Sequence, residues 1–206
     1  MELSSHNSVA VLAFPLTAGY PRLTAAVLGE LDDLLEEVKG AGLFSGVVIA
    51  ANAKSFATGA AIEEVAAVEG LRARELAERG QSTCRRIETF PLPVVAAIRG
   101  YCLGGGLDLA LACHGRVASY DASFGHPGAA LGLVTGWGGT QRLPHLLGKA
   151  AALEMLLTAD RIPATRALSM GLVDELASSR DLLSAAAQRA QALRGLHLPR
   201  ISHRGS

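Results

Sequence analysis

The sequence predicts an α/β protein built on a largely parallel, buried sheet. Short uninterrupted apolar runs have the length and β-branched content of strands covered on both faces: "SVAVLAF" (Ser8–Phe14), "SGVVIAA" (Ser45–Ala51) and "VVAAIRG" (Val94–Gly100). Segments with apolar residues at helical spacing stand between them, and that alternation is the pattern of a parallel sheet with helices on its faces. Size agrees, since 206 residues, 50% hydrophobic and 18% charged, suit one packed domain and argue against disorder.

The elements follow in order. After the first strand, "LTAAVLGELDDLLEEVKGAG" (Leu23–Gly42) reads as a helix, with Gly40 and Gly42 as stop signals. The second strand leads through a small-residue turn into "ATGAAIEEVAAVEG" (Ala57–Gly70), which has a helical pattern. "GLRARELAERGQSTCRRIETF" is a polar-faced helix broken at Pro91 and Pro93. The third strand runs straight into glycines, followed by a helix to about Cys113 and a strand near "GRVAS" (Gly115–Ser119). Helical patterns recur at Lys149–Thr158, Ala164–Met170 and Ser184–Leu193, ahead of a tail, "GLHLPRISHRGS", expected to fray. No repeat, linker or low-complexity block divides the chain.

Lys+Arg and Asp+Glu are equal at 19 each, so there is no general electrostatic pull toward nucleic acid or anionic membrane. Cys84, Cys102 and Cys113 are odd in number and lack metal-ligand spacing, which reads as buried free thiols in a reducing compartment and no metal site. The first residues lack the basic and apolar regions of a signal peptide, and no apolar run reaches the roughly 18 residues of a membrane span. A soluble, cytoplasmic protein is expected.

The chemistry concentrates in "GYCLGGGLDLALAC" (Gly100–Cys113), a strand, a glycine triplet and a helix carrying one acid, Asp108. A dinucleotide fingerprint would need glycine where Leu109 stands. A P-loop would need G-K-[ST] where "GLD" stands, and Gly148-Lys149-Ala150 fails as well. The G-x-S-x-G of a nucleophile elbow is absent. What remains is stabilisation of an oxyanion by backbone N–H groups at a helix start, where glycines admit close approach and the helix end carries partial positive charge. One donor is seldom enough, and "KSFATGAAIEEV" (Lys54–Val65) supplies a second small-residue turn before a helix. Read singly, either turn is equally a tight strand-to-helix connection shaped by packing.

At this pair the sequence resembles the crotonase, or enoyl-CoA hydratase/isomerase, superfamily. "SFATGAAIEEV" is similar to that family's F-x-A-G-A-D-I-x-E-M, and "AAIRGYCLGGGLDLALAC" to A-x-x-G-x-A-x-G-G-G-x-E-L-A-x-x-C. "FGHPGAALGLVTGWGGTQRLPHLLG" resembles F-G-x-P-E-x-x-L-G-x-x-P-G-x-G-G-T-Q-R-L-x-R-x-x-G. "ALEMLLTADRIPATRALSMGLVDEL" resembles the segment that follows. The resemblance implies a crotonase-like spiral of ββα units: a single domain with a core over residues 1–176 and a shortened C-terminal helix and tail over 177–206. It implies an acyl-CoA substrate, no cofactor beyond the coenzyme A of that substrate, and a homo-oligomer, a trimer or dimer of trimers. The oxyanion donors would be the amides of Ala60 and Gly105. Substrate contacts would fall to Lys54, Ala57, Gly59, Gly104, Gly106, Gly128 and Trp137.

Two departures bear on the reaction. Hydratases of the family use two glutamates; the first position holds Asp108 and the second holds Gly128. Asp108 is therefore the candidate acid/base, although an acid in a first helical turn is also stabilised by the dipole alone. His126 could deliver a proton near neutral pH, or be a histidine hydrogen-bonded within its turn. Trp137 is equally readable as a packing residue, and Lys54 either as a point charge for CoA phosphates or as a solvated side chain. Ala61 replaces the family's aspartate, and "PLTAGYPRL" (Pro15–Leu23) its N-R-P loop. The resemblance implies a lyase or isomerase of the enoyl-CoA hydratase/isomerase type, acting in fatty acid metabolism. The alternative is a weak or inactive CoA-thioester-binding or subunit-interaction protein, or a thioester hydrolase or decarboxylase variant.

Overall fold

In the computed structural model, residues 1–15, 19–60 and 71–196 are described. The helical pattern expected over 61–70, the Ala61 position and the tail from 197 lie outside those residues. The chain opens with a hairpin of β1 (Glu2–His6) and β2 (Val9–Ala13), turning through Asn7 and Ser8 at φ 48° and 64°. Two successive positive φ values match the twist of a tight hairpin. The turn lacks the usual glycine, so β1 carried no signal in the sequence.

The main sheet has the order β1-β2-β3-β4-β6-β9, with β3 at Gly46–Ala50, β4 at Val94–Ile98, β6 at Gly115–Ser119 and β9 at Glu175–Ala177. Only β1 runs antiparallel; the other neighbours are parallel. Strand residues alternate between two buried faces, as the continuous apolar runs require. Leu12, Ile49, Ala96 and Ile98 face one core with the larger helices. Val11, Val48, Val95 and Val117 face the other, which is closed by Ala186, Ala187 and Ala190 of the last helix (Leu182–Ala192). The C-terminal helix thus completes the second core, and small alanines let it lie close to the strands.

On the larger face, α1 (Ala25–Ala41) is capped by the Thr24 hydroxyl, which accepts from Val27 N at 3.2 Å, and ends at Gly42 with φ 63°. It holds α2 (Leu71–Glu88) through buried Asp32. That carboxylate accepts from Thr83 Oγ1 at 3.2 Å and pairs with Arg79 and Arg86 at 3.3 and 3.4 Å.

Beyond β4 the chain departs from expectation. It does not run straight into the glycines but turns at Gly100 into β5 (Tyr101–Leu103), the first strand of a small second sheet. There β5 pairs in parallel with β7 (Ser123–Gly125), and β7 pairs antiparallel with β8 (Ile162–Pro163). Only after β5 does Gly104 lead into α3 (Gly105–Ala112), whose residues from Gly106 onward are buried. A short 3-10 turn (Pro127–Leu131) and α4 (Gly139–Leu147) follow, in a region with no clear pattern. Then come α5 (Lys149–Leu157) and α6 (Ala164–Ser169), each ending one residue before the bound its periodicity suggests. All three cysteines are free and buried, and burial pushes the thiol of Cys84 well up and that of Cys113 to about 12, so they stay protonated.

Candidate active site

Gly104, the residue before α3, has φ 53° and ψ −124°, a conformation in which a Cβ is strained. It turns the chain so that α3 begins inside the core. The second turn packs directly against it: a Cβ on Gly59 would lie 3.1 Å from Gly105 N. Two small-residue turns far apart in sequence therefore meet at their backbones. The amides of Ala60 and Gly105 donate no hydrogen bond among the described residues.

Asp108 stands one turn into α3 and has no exposed surface. Its Oδ2 accepts from the Thr135 hydroxyl and from Trp137 N at 3.2 Å. Its Oδ1 has no hydrogen-bond partner. Burial raises the carboxyl to about 6, against the opposing pull of Thr135, the Trp137 amide, the Arg142 charge and the Gly139 amide. His126 lies opposite, with Nε2 3.7 Å from Asp108 Oδ1 and both ring nitrogens unpaired. Burial lowers its pKa to about 4. This corrects the expectation that His126 titrates near neutral pH and delivers a proton there: desolvation keeps the imidazole neutral, a donor or acceptor of hydrogen bonds only. Nor is it hydrogen-bonded within its turn.

These groups open on a cavity of about 360 Å³. Gly59, Ala60, Gly104, Gly105, Asp108, His126, Gly128 and Trp137 all line it, so eight of the eleven expected site residues converge. The rest of its wall is mainly apolar, from Ala73, Leu76 and Ala77 of α2 and from Leu131, Leu133 and Val134. Three expected contacts do not line it. Ala57 and Gly106 are buried behind the wall, each filling the other's space: a Cβ on Gly106 would lie 2.8 Å from Ala57 Cβ. Lys54 is on the surface with its Nζ 5.9 Å from the Tyr20 ring centroid. No group of three metal-ligating side chains occurs among the described residues.

Thr135 and Arg142 were missed by sequence reasoning. Arg142 is buried, donates to Trp137 O at 2.9 Å and pairs with Glu88 at 3.0 Å, which fixes the turn that carries the Trp137 amide. Thr135 did leave a signal: it stands where the family pattern has proline, a residue with no hydroxyl to offer.

Fold and site together define a crotonase-fold protein. The chain belongs to the enoyl-CoA hydratase/isomerase family, whose model matches residues 5–197. The fatty acid oxidation complex subunit alpha of Shewanella halifaxensis is 44% identical over 167 residues, 79% of this chain and 24% of that protein. The same subunit of Shewanella loihica is 42% identical over 191 residues, 90% of this chain. The chain thus spans about a quarter of the length of these relatives, 24% and 27%. Among solved structures, enoyl-CoA hydratase from Bacillus anthracis superposes with a TM-score of 0.87 at 31% identity, over 93% of this chain and 75% of that one. DspI of Pseudomonas aeruginosa gives 0.87 at 32% identity, over 93% and 73%. No helix among the described residues is long and apolar enough to cross a membrane.

Proposed function

We propose that the protein hydrates 2-enoyl-CoA thioesters with one carboxylate where the family pattern has two. The observation that carries this is Asp108: a buried acid with an unpaired Oδ1, in the wall of the cavity that Ala60 and Gly105 also line. The names of the Shewanella relatives support fatty acyl groups as the substrate class.

In this mechanism the thioester oxygen accepts from the Ala60 and Gly105 amides, each donor contributing about 10²–10³ in rate. The attacking water is taken up beside the Asp108 carboxylate. As its oxygen bonds to Cβ, Asp108 takes one water proton, and the π electrons move through Cα to the thioester oxygen. The enolate then collapses, and Cα takes the proton from the Asp108 carboxyl. The sum is addition of H and OH, with Asp108 returned to its carboxylate. Gly128 carries no proton in this scheme. No cofactor is required, because coenzyme A enters with the substrate. A homotrimer or dimer of trimers belongs to the same proposal and is read by sedimentation.

The test is incubation with 2-enoyl-CoA thioesters in heavy-oxygen water, with products followed by mass spectrometry. Hydration yields 3-hydroxyacyl-CoA carrying one labelled oxygen. A shifted double bond, a free acid or a shortened chain as the product would overturn hydration and name the isomerase, hydrolase or decarboxylase alternative. Binding without product would leave a thioester-binding protein.

A further inference from the structure

One large aromatic side chain stands in the wall of the cavity. Trp137, the chain's single tryptophan, is 5% exposed, with its indole wedged between α2 and the start of α3. A Cβ on Gly105 would lie 2.5 Å from its Cζ3, and a Cβ on Gly80 would overlap the other edge of the ring system. The indole occupies the space that two side chains would otherwise take. Its backbone is fixed at both ends, the N–H on Asp108 Oδ2 at 3.2 Å and the carbonyl on Arg142 Nη1 at 2.9 Å.

A second cavity of about 250 Å³ also has Trp137 in its wall. It shares Gly136 and Trp137 with the first, but its other walls are Gln81, Arg85, Glu88, Thr140, Gln141 and Arg142. The buried Glu88–Arg142 pair at 3.0 Å makes it a charged space. Trp137 therefore borders both an apolar cavity and a polar one. An alkyl chain gains by filling the first and is stopped before the second.

We infer that Trp137 sets the acyl length this site accepts: short fatty acyl groups end on the indole, and longer ones meet it. The inference rests on the site binding acyl-CoA. Each methylene that finds apolar room strengthens binding roughly fourfold, and a pocket wall discriminates one methylene by roughly 10–200-fold. Affinity should thus climb with chain length and break where the terminal carbon reaches the ring.

Binding of saturated acyl-CoAs, from acetyl to hexadecanoyl, tests this without requiring turnover. Isothermal titration calorimetry would compare the unaltered protein with Trp137→Ala and Trp137→Phe, and quenching of the single tryptophan would report occupancy in the unaltered protein. The expected result is a rise and then a fall of at least about tenfold beyond a short limit. In Trp137→Ala the break moves to longer chains; in Trp137→Phe it moves less, in the same direction, and that variant carries the comparison if the alanine variant does not fold. The same length profile in all three proteins would overturn this inference alone. Absence of binding by every acyl-CoA would overturn the acyl-CoA reading together with it.

Discussion

His126 Nε2 and Asp108 Oδ1 face each other across 3.7 Å, and neither atom has another hydrogen-bond partner. An unsatisfied pair of this kind inside a protein costs stability, and here it borders the cavity where a thioester would bind. The gap exceeds a direct hydrogen bond.

Their opposite shifts predict a pH signature. Asp108 goes from 3.8 to about 6 on folding, so the stability tied to its proton is present at low pH and lost as pH rises toward 6. His126 goes from 6.5 to about 4, so its contribution is present above 6.5 and lost as pH falls toward 4. Each amounts to about 3 kcal/mol and the two oppose each other over that window. Urea unfolding between pH 4 and 6.5 should find the unaltered protein nearly flat in this respect. Asp108→Asn should become more stable as pH rises, and His126→Gln less stable. Parallel profiles for both variants would contradict the assigned shifts.

Gly128 offers a gain of function. It lines the cavity, and a Cβ there meets only Leu133, at 3.4 Å or more, so a longer side chain has room. Gly128→Glu should place a second carboxylate beside Asp108 and raise kcat/KM for hydration by on the order of 10². Steady-state rates with one enoyl-CoA decide it; an unchanged or lowered rate would show that the single-acid arrangement is not limited by the missing group.

Gly106 tests the scaffold without altering a group that lines the cavity. Its Cβ would press on Ala57 at 2.8 Å, with backbone behind it that cannot swing away. Gly106→Ala should lower stability by about 1–3 kcal/mol, read from a denaturation midpoint. A midpoint unchanged from the parent would mean the two turns are less tightly apposed than the geometry shows.

Four strands of the main sheet, β2, β3, β4 and β6, and most helices could be read from the sequence because their signals are local: short apolar runs for the strands, and helical periodicity with Gly42 for α1. The strands β5, β7 and β8 are two or three residues long and draw their pairing from distant segments, so local pattern says nothing of them. The site divides the same way. The glycine triplet and Asp108 declared themselves through chemistry at one helix start. Thr135 and Arg142 act on Asp108 and on its partner Trp137 only after the chain folds back, and the neutral state of His126 is set by burial that no spacing encodes. Lys54 matched a pattern but stands on the surface, outside the cavity.

In the proposed mechanism Asp108 alone performs the acid/base chemistry on a thioester held by two amides. The most direct measurement is turnover of a 2-enoyl-CoA by the unaltered protein and Asp108→Asn, with acyl-CoA affinity measured beside it. The variant is expected to lose about 10²–10⁴ in kcat with affinity retained, because asparagine keeps the shape and removes the base. Equal turnover in the two proteins would contradict it.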